Sequence, residues 1–126
     1  MAKHNEVGII GEKIVFQFLK NKGLNIIETN YRKTYGEIDI VAREKNVVRF
    51  IEVKSVSYET DRNVSHEIFR PEENLHPQKL KRLGRVIQAY ILSRGTGEWA
   101  FDLVCVYIDQ KSRSAKVKWI KDIIIE

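Results

Sequence analysis

The sequence predicts an α/β fold, a mixed sheet flanked by two helices. Three observations predict it. Two stretches carry apolar residues at helical spacing, shorter runs between and after them are apolar or alternate with period two, and the order is α-β-β-β-α-β-β. With 126 residues, 43% of them apolar, the chain suits one domain, residues 1–126, around one core.

Residues 5–22 read as the first helix. Val7, Ile10, Ile14 and Phe18 recur at helical spacing, Ile9, Phe16 and Leu19 widen the stripe, and Gly23 supplies the stop. A short strand, 24–28, follows, and then a polar turn over 29–36. The runs 37–43 and 47–56 alternate with period two around the turn-like Glu44-Lys45-Asn46, which predicts a β-hairpin. In the first run Ile38, Ile40 and Ala42 share a face opposite Glu37, Asp39 and Val41; in the second Val48, Phe50, Glu52, Lys54 and Val56 share one. Residues 57–75 show neither period, and connections of that length are usually functional or disordered. Pro77 suits the first turn of a second helix. Its stripe is Leu80, Leu83, Ile87, Tyr90 and Ile91, and Gly95 and Gly97 end it. A long apolar strand over 99–108 and an edge strand over 115–120 complete the order.

Lys plus Arg is 22 and Asp plus Glu 17, a formal charge of +5 that favours polyanionic partners, nucleic acid or an anionic membrane surface. No stretch approaches the ~20 apolar residues of a membrane span, and the N-terminus lacks a signal-peptide core. The lone Cys105, inside an apolar run, reads as a buried small hydrophobe. A reducing, cytoplasmic setting is expected.

The chemistry concentrates in Asp39 and Glu52-Val53-Lys54. Glu52 and Lys54 point to one side of their strand. With Lys45 and Asn46 as the turn, Asp39 falls opposite Glu52, with Cβ atoms roughly 4.5–5.5 Å apart. Two carboxylates so placed repel unless compensated, and a divalent cation, Mg²⁺ or Mn²⁺ rather than Zn²⁺, is the apt compensation. Lys54 can orient an attacking water and stabilise charge on a phosphate under attack. Glu12, drawn toward the apolar face of the first helix, adds a further carboxylate. The alternative is an ordinary solvated face of an amphipathic hairpin, since an aspartate followed by Glu-x-Lys also arises by chance. The apolar company of Glu52 (Val48, Phe50 and Val56) favours the functional side. Asp102, in an apolar strand, needs a structural partner, for which Arg32 is the candidate. His4, His66 and His76 lack metal-site spacing. Lys79, Lys81, Arg82 and Arg85 are either a solvated helix face or a phosphate-contacting one.

Gly11-Glu12, Asn30-Tyr31-Arg32, Gly36-Glu37-Ile38-Asp39-Ile40-Val41-Ala42, Phe50-Ile51-Glu52-Val53-Lys54 and Phe101-Asp102-Leu103-Val104 together resemble the YraN-like family of predicted endonucleases, over nearly the whole chain. That family looks like a branch of the PD-(D/E)xK nucleases, similar to archaeal Holliday-junction resolvases. The resemblance implies a restriction-endonuclease-like α-β-β-β-α-β core. It implies metal ligation by Asp39, Glu52 and the Val53 carbonyl, a catalytic Lys54 and a supporting Glu12. It also implies a polar residue of the second helix near the site, Gln78 or Lys79. Where the family often continues with Thr-Arg, this chain has Ser55-Val56.

The expected activity is Mg²⁺- or Mn²⁺-dependent hydrolysis of phosphodiester bonds in DNA, structured or branched, with Arg32, Gln78, Lys79 and Arg82 contacting nucleic acid. The alternatives are a catalytically inactive nucleic-acid-binding module and an interaction domain whose carboxylates are only structural. No membrane association is expected, and a homodimer follows by analogy with junction-cleaving relatives.

Overall fold

In the computed structural model, residues 4–59 and 75–125 are described. The elements are α1 (His4–Asn21), β1 (Asn25–Lys33), β2 (Gly36–Glu44), β3 (Val47–Tyr58), α2 (Pro77–Arg94), β4 (Trp99–Asp109) and β5 (Ser114–Ile120). The order matches the sequence reading. The 57–75 connection falls mostly outside the described residues, as does His66.

The strands form one sheet in the order β1-β2-β3-β4-β5. Only β3 and β4 run parallel, so the sheet is mixed, with β5 at an edge as expected. A parallel neighbour needs a crossover, and α2 lies within the β3–β4 connection. The two faces bury separate clusters. Val15, Leu19 and Leu24 pack on Ile40, Ala42, Ile51, Val104 and Val106. Leu83, Val86, Ile87 and Tyr90 of α2 pack on Ile38, Val41, Val48, Phe50 and Phe101. Each such side chain, fully buried, contributes about 1.5–3 kcal/mol. Cys105 is buried in the sheet.

The hairpin register is the expected one, from Glu44↔Val47 to Ile40↔Ile51. Lys45 takes a left-handed φ of 55° at the turn, as a tight hairpin demands. The pairing of β2 with β3 then stops, so Asp39 and Glu52 are not themselves a ladder pair.

Two expectations need correction. The first strand runs through most of the presumed turn, to Lys33, because it pairs with β2 down to Lys33↔Gly36. Ile38 does not share the face of Ile40 and Ala42: it packs with Val41 on the α2 side. Thr29↔Ile40 and Tyr31↔Ile38 are paired, whereas Asn30 and Asp39 between them are not, and Asn30 adopts φ 53°. Asparagine tolerates that left-handed conformation better than most residues. The alternation slips by one residue at this kink, and Asp39 is released from it.

The buried row of α1 is also turned from the predicted stripe. Val7, Gly11, Val15 and Leu19 face inward, while Ile9 and Ile10 are 53% and 42% exposed. Gly11 explains the rotation. A Cβ there would collide with the Ser55 hydroxyl of β3, so the helix meets the sheet at the position that has no side chain.

Candidate active site

The kink at Asp39 sets the geometry. Where the β2–β3 ladder ends, the Asp39 Oδ2 accepts the Val53 N–H at 2.7 Å, in place of a backbone partner. This fixes the carboxylate against β3, beside Glu52. Glu52 receives an ion pair from the α2 side: Lys79 Nζ lies 2.7 Å from its Oε2.

Asp39, Glu52, Val53, Lys54, Lys79 and Arg82 line one groove of about 520 Å³. An adjoining recess of about 290 Å³ is lined by Glu12, Asn30, Arg32 and Glu37, again with Asp39, Val53 and Lys54. Three strands and both helices thus contribute to the two adjoining concavities.

Burial raises the Asp39 carboxyl most, the charge of Glu52 and a hydrogen bond with it raise it further, and Glu12 adds a little; the Val53 N–H opposes them. The result is a carboxyl pushed up to about 8, so Asp39 holds a proton against Glu52 near neutral pH. Glu12 is raised as well, first by burial, then by Glu37 and Glu52, with Arg32 opposing. The arrangement concentrates negative charge that the fold only partly neutralises. Among the described residues no three His, Cys, Asp or Glu side chains gather to hold a metal ion by themselves. Two carboxylates with Val53 beside them line the groove, a set that could hold a hard cation and leave positions for water or phosphate.

Other sequence candidates land as follows. Lys79 reaches Glu52, whereas Gln78 is exposed and lines neither concavity. Arg82 lines the larger groove. Arg32 is exposed and pairs with Glu37 at 3.2 Å. It is not the partner of Asp102. That carboxylate is fully buried and bound by Arg49 Nη1 at 3.0 and 3.1 Å, Trp119 Nε1 at 2.9 Å and the Asp122 N–H at 2.9 Å. Strand order explains the error: Arg32 is on β1, two strands from β3, while β3 is the neighbour of β4 and pairs Ile51 with Asp102. His76 is the exposed N-cap of α2, without a side-chain capping bond.

The reading from sequence missed Glu37, which lines both concavities and raises Glu12. Its place two residues before Asp39 was the available signal. It also missed Asn30, whose left-handed backbone no period reveals.

A helix, three strands, a helix and further strands around a mixed sheet make an α/β protein with a nuclease-like core. The chain belongs to the uncharacterised protein family UPF0102, whose profile matches residues 11–106. It is 34% identical over 112 residues to UPF0102 protein FP2501 of Flavobacterium psychrophilum, covering 88% of each chain. It is 38% identical to a UPF0102 protein of Alkaliphilus metalliredigens, covering 85% of this chain and 90% of that one. Against a UPF0102 protein of Caldicellulosiruptor bescii it is 34% identical, over 93% of this chain and 95% of the other. No helix among the described residues is long and apolar enough to cross a membrane.

Proposed function

We propose that the chain is a Mg²⁺- or Mn²⁺-dependent endonuclease acting on DNA, with structured or branched DNA as its substrate class. The observation that carries this reading is the convergence of Asp39, Glu52 and Lys54 on one groove bordered by Lys79 and Arg82. Asp39 and Glu52, with the Val53 carbonyl, would hold the cation. When bound, it supplies Lewis-acid stabilisation of charge developing on the phosphate. Lys54 adds a fixed positive charge at the same place and orients the attacking water. Glu12 sits at the recess, where it can accept a proton. Lys79 and Arg82 on α2, with Arg32 on β1, meet the flanking phosphates. The setting we infer is cytoplasmic, and two copies acting on two strands would suit a branched substrate.

Incubating the chain with linear, flapped and four-way DNA in Mg²⁺ and in Mn²⁺ tests the reading. Metal-dependent cleavage of at least one branched form is expected, and intact DNA throughout would refute it. A non-catalytic nucleic-acid-binding module would bind these DNAs without cutting them.

The surface on α2 makes a separate prediction. The slope of log affinity against log salt on duplex DNA changes by about 0.9 for every phosphate the protein neutralises. Lys79→Ala together with Arg82→Ala should therefore weaken binding at low salt and flatten that slope by up to about 2. An unchanged slope would remove this surface from the DNA interface.

A further inference from the structure

Beside the candidate active site, the fold leaves an apolar groove that the core does not use. It measures about 500 Å³, within the ~300–1,000 Å³ of small-molecule pockets, and Ile9, Phe16 and Ile40 form its walls. It shares Glu12, Asn30 and Asp39 with the recess at the carboxylate pair, so the two spaces adjoin. The rotation of α1 creates it. Because Gly11 seats the helix on Ser55, Ile9 is turned outward and Phe16 is left half-buried. Exposed apolar surface rimmed by charge marks an interaction site. Here the rim is basic on the helix side: Lys13 lines the groove and the Lys20 ammonium lies 5.4 Å from the centre of the Phe16 ring.

We propose that this groove is a subsite for one unstacked nucleobase, that of the nucleotide adjoining the scissile phosphate, so that the chain selects DNA with a single-stranded or displaced nucleotide at the cleavage point. The proposal rests on the nuclease reading above. A strand whose phosphate sits at Asp39 and Glu52 must place its neighbouring nucleoside within one nucleotide's reach. The adjoining groove offers that nucleoside an apolar, partly aromatic wall, and lysines for its next phosphate. A base paired and stacked in a duplex cannot enter a space between helix and strand. A base at a flap or branch point is already unstacked and can enter without that cost. Sequence preference should be slight, because every base offers a π-face to Phe16.

Fluorescence anisotropy, with Ca²⁺ in place of Mg²⁺, tests this on two DNAs: a blunt duplex and the same duplex bearing a single-stranded flap. Wild type should prefer the flap. Phe16→Leu, which keeps apolar bulk and removes the ring, should weaken flap binding about 5- to 100-fold and leave blunt-duplex binding unchanged. Ile9→Ser, at an exposed position, should act in the same direction. An abasic nucleotide at the flap junction should reproduce the loss on wild-type protein, independently of any effect of the variants on folding. Equal binding of flap and blunt DNA by wild type, or a flap preference untouched by the variants and the abasic site, would overturn the subsite while leaving the nuclease reading in place. The latter result is what a groove for an apolar peptide would give. Failure of wild type to bind either DNA would sink both.

Discussion

Asp39→Asn is expected to leave the metal-free protein at least as stable as wild type, and to abolish the metal-dependent cleavage proposed above. The stability claim follows from the carboxyl's displacement. Asp39 titrates near 3.8 in an ordinary setting and is pushed up to about 8 in the fold, first by burial and then by Glu52. The folded state therefore binds its proton more tightly than the unfolded chain. Between about pH 4 and about pH 8 the folded state carries the larger share of protons, so stability falls as pH rises through that window. The contribution is fully present at the acid end and gone at the alkaline end. An asparagine amide keeps the shape and can still accept the Val53 N–H while donating to Glu52. The variant should therefore match wild type below about pH 4 and exceed it increasingly up to about pH 8, with the pH slope reduced. Functional sites commonly hold such unfavourable arrangements until ligand arrives. Thermal melts of both proteins across that range, in chelator, decide it. A clear destabilisation by Asp39→Asn throughout would make Asp39 a structural partner, and the hairpin an ordinary one.

Asp102→Ala should have the largest effect on stability of any single change away from the groove. It would leave Arg49 buried without its main counter-ion, and would strip the Trp119 Nε1–H and the Asp122 N–H of their acceptor. Breaking a buried pair by removing one partner costs about 3–5 kcal/mol. Arg49 also binds Glu44 at 2.8 Å and Asp122 at 3.0 Å, so the network ties the β2–β3 hairpin to the C-terminal residues. Combining Asp102→Ala with Arg49→Met should cost less than the sum of the two, because both changes break the same pair. Urea denaturation of the four proteins measures both quantities. A loss under ~1 kcal/mol for Asp102→Ala would show that the network is not holding this end of the sheet. None of Arg49, Asp102, Trp119 and Asp122 lines the two concavities at the carboxylate pair, so the proposed cleavage should survive in the folded fraction at low temperature.

Much of the architecture was legible in the sequence, because it is written in period and turn chemistry. The two helices, the hairpin register around Lys45-Asn46 and the element order are local properties, and they stand. What failed depends on how elements meet. The face of Ile38 was misread because the kink at Asn30 and Asp39 shifts the alternation on both strands together. The stripe of α1 was misread because Gly11 carries no hydrophobic weight, yet it fixes where the helix touches β3. The partner of Asp102 was misassigned because strand neighbours are a tertiary fact: Arg49 lies on the adjacent strand and Arg32 does not. At the candidate site the shared side of Glu52 and Lys54 was readable from strand parity, whereas Glu37 was hidden among ordinary surface carboxylates. Asp39 itself reaches its position by a different route from the one the register suggested, through the end of the ladder and the Val53 N–H.

In the proposed site Asp39 and Glu52 together hold one divalent cation. Calorimetric titration of Mn²⁺ into the chain near neutral pH, repeated in buffers of different ionisation enthalpy, tests it most directly. With the Asp39 carboxyl pushed up to about 8 by burial and Glu52, cation binding there should expel a proton. A single site is expected in wild type, with proton release approaching one per cation, and its loss in Asp39→Asn. Mn²⁺ binding that is absent from wild type, or that persists unchanged in Asp39→Asn, would contradict it.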